Sequence, residues 1–243
     1  MTPELSVVVP CHNEAALIGD TVRSVLALAE GAAISLEIIV VDDGSTDGTR
    51  AVVESMPVRL VAQRHRGVSG ARNNGIAHAR APVIAMLDAD DRWTSAVFDV
   101  LVPAIMSEGA TGIVQGRIRD DWPGVGLGAP YCGCNLGSAL FRREVVDEIG
   151  PFDESLTRFE DLEWLVRAYD KRLPKDRVPD PVLHYRRRAG GLTASAPRLD
   201  PRLVRVMRDI ARRRQTTDIP RPSGFPSASE YLGVVPPESE RRP

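Results

Sequence analysis

The 243-residue sequence is poor in cysteine, with only Cys11, Cys132 and Cys134. An odd number without regular spacing excludes the disulfide framework of a small secreted domain. No stretch approaches the roughly 20 apolar residues of a membrane-spanning helix. The N-terminal segment lacks the charged, apolar and cleavage regions of a secretory signal. The expected location is therefore the cytoplasm, with any membrane contact peripheral at the inner membrane. A dominant charge is also missing. At a net −2 the chain has no global pull toward nucleic acid, and none is expected as a partner. No internal repeat is present. What is there is an ordinary globular composition, 43% hydrophobic and 26% charged, long enough to bury one large core. One asymmetry stands out. From His184 to Arg214 there are ten arginines, no lysine and two aspartates, a formal +8.

The hydrophobic pattern predicts an alternation. Leu5 to Pro10, Leu36 to Val41, Val58 to Ala62 and Val83 to Leu87 are short β-branched, apolar runs that read as buried strands. Between them, Ala15 to Ala29, Thr46 to Ser55 and Gly67 to Arg80 carry helical spacing. Such an order implies an α/β fold with a mostly parallel sheet covered by helices on both faces. Ligands bind outside the carboxyl ends of such strands. Three polar clusters fall there: His12-Asn13-Glu14, Asp42-Asp43 and Asp88 to Asp91. The second half is less regular. It predicts a helix over 95–108, a strand over 111–119, a long loop over 120–135, a strand over 137–141 and helices over 143–149 and 162–169. An edge strand over 178–185 and an arginine-rich helix from Leu199 to Arg214 follow, the latter with Leu203, Val206, Met207 and Ile210 on one face. Beyond Gln215 the Pro- and Ser-rich chain reads as a flexible or surface-draped tail.

Each cluster has a plain reading and a chemical one. Asp88, Asp90 and Asp91 alone are an acidic turn, but three carboxylates that close repel unless a cation neutralises them. Hard oxygen ligands suit Mg²⁺ or Mn²⁺, which complete their shells with phosphate and water. Asp42-Asp43 leads into a helix that Ser45 or Asp47 can cap. A second consecutive carboxylate exceeds what a cap needs, and it can accept a ring N–H of a base such as uracil. Arg72 either sits in a small-residue helix packed on the sheet or reaches a phosphate. Glu160-Asp161 either complements a helix N-terminus or supplies a general base. Cys132 and Cys134 make a poor zinc site and read as small loop residues.

Taken together, the motifs resemble the family 2 glycosyltransferases of GT-A fold, over about Leu5 to Ser195. The resemblance rests on Ser6-Val-Val-Val-Pro-Cys-His-Asn-Glu14, Val40-Val-Asp-Asp-Gly-Ser-Thr-Asp47, Ala71-Arg-Asn-Asn-Gly-Ile76 and Leu87-Asp-Ala-Asp-Asp91, in order and at the family's spacing. Asn135 to Phe141 resembles the acceptor-side strand. Gly150-Pro-Phe-Asp-Glu154 resembles a Gly-Gly-Phe-Asp-Glu turn, and His184-Tyr-Arg186 the closing segment. Phe159 departs from the glycine often found before the Glu-Asp pair.

The resemblance implies a metal-assisted, inverting transferase that moves a sugar from a nucleoside diphosphate, with a UDP-sugar favoured, to a hydroxyl of a glycan, lipid or protein. Pro10, His12, Glu14, Asp42, Asp43, Arg72, Asp88, Ala89 and Glu160 would line the substrate site. Asp90, Asp91 and His184 would hold Mn²⁺ or Mg²⁺, and Asp161 would be the base. Residues 1–214 form the transferase domain on this reading. Within it, 1–110 bind the donor, 111–195 face the acceptor and 198–214 form the basic helix, which lies on an anionic membrane, holds a polyanionic acceptor or is a solvated face with a packed apolar stripe. Residues 215–243 are the tail. A nucleotidyltransferase and a non-catalytic nucleotide-sugar-binding module remain alternatives. The first normally has a Gly-rich basic loop after the first strand, where this chain has Cys11-His12-Asn13-Glu14.

Overall fold

A computed structural model describes residues 2–188, 200–216, 223–233, 236 and 238–243. The expected alternation is present: β1 (Leu5–Cys11), α1 (Ile18–Glu30), β2 (Leu36–Asp43), α2 (Thr49–Glu54), β3 (Arg59–Gln63), α3 (Gly67–His78) and β4 (Val83–Met86). Every residue of β1 and β4 is buried, as strands covered on both faces must be. α3 lies close against the sheet because Gly75 has no side chain. A Cβ there would stand 2.2 Å from Val8 Cγ1.

The chain continues through β5 (Arg92–Trp93) into a π-helical turn over Val97–Leu101 and α4 (Val102–Met106). Pro103 falls in the first turn of α4, where its missing N–H breaks no helical bond. β6 (Ile113–Trp122) and β7 (Gly126–Leu127) follow, then β8 (Ala139–Arg142), α5 (Arg143–Ile149), α6 (Glu160–Asp170) and β9 (Lys175–Arg186). The sheet order is β3-β2-β1-β4-β8-β6-β9-β5, with β7 paired to β6. β1 to β4 run parallel, whereas β8 is antiparallel to both β4 and β6.

Three expectations for the second half need correction. The loop over 120–135 is shorter than its Gly and Pro content suggested. β6 runs on to Trp122, and Tyr131 N–H and C=O both pair with Ile118. Asp120 is fully buried in this strand yet satisfied, by Tyr131 Oη at 2.9 Å and by Arg187 at 3.0 Å. The strand expected at an edge, β9, lies one position inside it. Arg92 and Trp93 pair with its end and Thr94 bonds the Pro181 and Val182 carbonyls, while Pro179 sits on the earlier part of the strand that β5 does not reach.

The described parts of the tail, read from composition as flexible or surface-draped, include two short helices. In α8 (Ala228–Leu232) Tyr231 is 1% exposed and packs on Tyr169 and Phe225. In α9 (Glu238–Arg241) Arg241 pairs with Asp120. Two aromatic anchors are enough to hold a polar segment down. The basic helix is α7 (Pro201–Thr216). Its Val206 and Ile210 pack against Val166 and Leu156, but Met207 is 53% exposed and faces outward. The boundaries placed at 195 and 198 lie outside the described residues.

Candidate active site

The carboxyl ends of β1, β2 and β4 open into a cavity of about 480 Å³, closed on the far side by the start of α6 and the end of β9. Pro10, His12, Glu14, Asp43, Arg72, Asp88, Ala89, Asp90, Glu160 and Asp161 all line it. Thus most residues singled out in the sequence meet in one place, although 151 positions separate Pro10 from Asp161. Asp42, Asp91 and His184 are not among its lining residues.

At one end of the cavity β2 finishes in a tight turn. Gly44 takes φ +73°, and a Cβ there would stand 3.0 Å from His65 N, so glycine suits the turn. Asp42 turns back to accept from Ser45 N–H at 2.9 Å and serves the turn instead of a ligand. Asp43 Oδ1 accepts from Gln63 Nε2 at 2.7 Å and from Arg66 N–H at 2.8 Å. Its Oδ2 accepts from Gly67 N–H at 2.8 Å and lies 2.9 Å from His65 Nδ1. Three N–H groups donate to the carboxylate, and the His65 ring, whose Nδ1 also lies 3.1 Å from the Asp43 carbonyl oxygen, fills its remaining side, so a ligand's ring N–H reaches it most directly by displacing that imidazole. His65 is the exposed member of that set, and its ring lies 4.3 Å from that of His12. The sequence reading missed His65, which stands alone in a polar loop without motif context.

At the centre stands Arg72, only 4% exposed. Its guanidinium donates to Asp88 Oδ1 and to Glu160 Oε1, each at 2.8 Å. It therefore does not wait for a phosphate. It bolts the end of β4 to the start of α6, and those two carboxylates hold it firmly protonated despite burial. The same helix fixes the turn that leads to α6. Asn73 Oδ1 accepts from Phe152 N–H at 2.8 Å, and Asn73 Nδ2 donates to Phe152 C=O at 3.0 Å. Phe152 stacks on Trp164 at 5.0 Å.

Asp161 opens α6 and faces the cavity. Burial, then the neighbouring Glu160 carboxylate, push its pKa up to about 7, while Arg72 pulls the other way. A carboxyl poised near neutrality is suited to taking a proton. Phe159, just before it, has φ 62°. That left-handed conformation is strained for a bulky side chain and costs a glycine nothing, which explains the glycine the resemblance leads one to expect there.

The acidic cluster splits into three roles. Asp88 is held by Arg72. Asp90 faces the cavity, its Oδ2 2.6 Å from Arg188. Burial and Asp88 raise its pKa. Asp91 is 0% exposed, and its Oδ1 accepts from Arg186 N–H at 3.0 Å. Burial and its two acidic neighbours hold its carboxyl well above the usual range. The expected metal role of Asp91 is therefore corrected, because its side chain points into the protein. His184 is corrected likewise. It pairs with Arg92 across the sheet, among Asp121, Arg119 and Arg92, and burial lowers its pKa.

For a divalent cation the cavity thus offers Asp88 and Asp90. Two hard carboxylates fit an ion that takes its remaining ligands from phosphate and water. Among the described residues no three His, Cys, Asp or Glu form a cage. Toward β6 and β9 the cavity is lined by Ile118, Tyr131, Cys134, Arg158 and Tyr185. Cys11 and Cys134 are free thiols, and burial pushes both up to about 12, so they behave as packing residues. No helix among the described residues is long and apolar enough to cross a membrane.

Comparison with known proteins agrees with this layout. The profile described as Glycosyl transferase family 2 matches residues 6–131. An uncharacterized glycosyltransferase of Nostoc sp. is 29% identical over 177 residues, 62% of this chain and 54% of that protein. The succinoglycan biosynthesis protein ExoO of Rhizobium meliloti is 46% identical over 93 residues, 37% of this chain and 26% of its own. The chain thus spans about half the length, or less, of these curated relatives. Among solved structures, S. aureus TarS 1-349 in complex with UDP-GlcNAc superposes with a TM-score of 0.73 at 22% identity, over 89% of this chain and 68% of that one. A mannosyltransferase of Pyrobaculum calidifontis in complex with GDP-Man and Mn²⁺ gives 0.62 at 19% identity, over 91% and 67%. At such identities the likeness establishes a shared fold, the GT-A arrangement of a curled central sheet between helices.

Proposed function

The chain belongs to glycosyl transferase family 2, and from that premise we propose that it catalyses inverting transfer of a sugar from a UDP-sugar to a hydroxyl acceptor. The observation that carries this reading is the juxtaposition made by Arg72. One buried guanidinium sets Asp88, next to the cavity-facing Asp90, against Glu160, next to Asp161. A carboxyl tuned to about 7 then faces the acidic end across a single cavity.

On this reading the uracil ring enters beside His12, and its N3–H takes the place of His65 on Asp43. The diphosphate lies toward Asp88 and Asp90. Asp90 and Asp88 would hold a divalent ion, which when bound would supply positive charge where the leaving diphosphate gains negative charge. Asp161 accepts the proton of the acceptor hydroxyl. The oxygen forms its bond to the anomeric carbon as the bond from that carbon to the diphosphate breaks, and the electron pair leaves with the diphosphate. Attack opposite the leaving group inverts the anomeric centre. The TarS complex with UDP-GlcNAc and the mannosyltransferase complex with GDP-Man and Mn²⁺ support this class of donor and metal.

The test is release of free nucleoside diphosphate from a panel of UDP- and GDP-sugars with Mn²⁺, with and without EDTA. The expected result is metal-dependent release from at least one UDP-sugar. Metal-dependent nucleotide binding without turnover on any donor and acceptor would favour a binding module instead.

A further inference from the structure

The cation nearest the expected metal position belongs to the protein. Arg188 reaches Asp90 Oδ2 at 2.6 Å and grips both oxygens of Glu14, at 2.9 and 3.0 Å. This is a bidentate, charge-assisted contact. The chain that delivers it is pinned. Arg186 N–H is held by Asp91, Arg187 N–H donates to Asp121 C=O at 2.9 Å, and the Arg187 side chain is fixed to Asp120. The other partner is held too, since Glu14 N–H donates to Thr49 Oγ1 at 2.8 Å. The buried member of the acidic cluster therefore positions the arginine that neutralises its cavity-facing member.

Resting on the donor and metal reading above, we propose that Arg188 is a resident counter-ion of the donor site. It neutralises Asp90 and Glu14 until a divalent cation arrives with the donor's diphosphate, and the released guanidinium then binds that diphosphate. A metal ion alone has to break the contact between Arg188 and Asp90 and leaves the guanidinium with Glu14 as its one acidic partner. A diphosphate removes that penalty, because it ligates the metal and accepts from the arginine together. Metal and donor consequently bind as a unit, with a positive and reciprocal coupling. The empty enzyme is spared both a repelling acidic pocket and a tightly held stray metal.

The test uses Arg188→Gln in the full chain, with Mn²⁺ affinity read by electron paramagnetic resonance and UDP affinity by calorimetry. Without nucleotide, R188Q binds Mn²⁺ tighter than the unaltered protein, on the order of tenfold for removal of one competing charge. With Mn²⁺ saturating, R188Q binds UDP more weakly, again on the order of tenfold. The two shifts have opposite signs, whereas a merely structural role weakens both. Unchanged Mn²⁺ affinity, or weakening of both ligands at an unchanged melting temperature, overturns the proposal. Failure of the unaltered protein to bind UDP or GDP in the presence of Mn²⁺ overturns the donor reading itself, and the proposal with it.

Discussion

The two sides of the cavity are built differently. On the donor side, the lining residues Pro10, His12, Glu14, Asp43, Asp88 and Asp90 follow directly from parallel strands that end at one level. Each group is contiguous in sequence and is held mostly by its own or the neighbouring loop, as when Asp43 collects Gln63, Arg66 and Gly67. On the proposed acceptor side, Ile118, Tyr131, Cys134, Arg158, Asp161 and Tyr185 come from four separate stretches. Buried charge crosses between distant segments there, as at Asp120 with Tyr131 and Arg187. A strand-end site is set by topology. An assembled site is set by individual side-chain pairs, and each pair is a point where it can be broken.

The largest effect is expected where the two sides meet chemically. Asp161→Asn removes the proton acceptor and lowers kcat by roughly 10²–10⁴-fold or more, with donor affinity unchanged in calorimetry. Loss of donor binding in that variant would place Asp161 on the donor side and dissolve the division. The same carboxyl sets the pH dependence. Its pKa is raised to about 7, so the ionised, proton-accepting form grows as pH climbs through that value. The rate at low pH should fall tenfold per unit below about 7. Arg72→Met removes the cation that pulls this value down, so its limb should move to higher pH.

That substitution also strands Asp88 and Glu160 without their shared partner. Breaking a buried pair of this kind costs about 3–5 kcal/mol. Chemical denaturation of Arg72→Met would read it, and a small loss would show that the two sides are held together by something else. Next in size is a contrast inside the acidic cluster. Asp90→Asn should weaken Mn²⁺-dependent donor binding at least tenfold, on the order of one lost metal ligand. Asp91→Asn should leave metal dependence intact, because its side chain does not line the cavity and an amide oxygen can still accept from Arg186 N–H. Equal effects of the two would return Asp91 to the metal site. The smallest effect concerns Phe159. Both Phe159→Gly and Phe159→Ala lose the ring, but only alanine keeps a Cβ at φ 62°. The glycine variant should therefore be the more stable by about 1 kcal/mol.

Sequence reading performed unevenly, and the same division explains where. The four parallel strands and their helices were legible because fully buried strands are continuous apolar runs, as in Leu5–Cys11. Asp43, Asp88, Asp90 and Asp161 were legible because their types and spacing match the motifs of the family. Asp42 and Asp91 were read into the site because they stand next to residues that belong there. Neighbours along an extended or turning chain point in different directions, and only the hydrogen bonds to Ser45 and Arg186 reveal where these two go. His184 failed for the same reason. It and Tyr185 are adjacent in β9, and only Tyr185 lines the cavity. Arg188 was visible only as part of a basic run, with nothing to separate it from solvated neighbours.

The sequence by itself determined the layering, the family and the strand ends at which a ligand binds, because periodicity and local motifs are properties of contiguous residues. The tertiary structure alone decided which acid faces the cavity, which is a strut and which is buried. It also joined Arg72 to Asp88 and Glu160, and Arg188 to Asp90 and Glu14. Those assignments depend on pairing over 16, 88, 98 and 174 positions, and a charge declares its partner only when folding has removed the water between them.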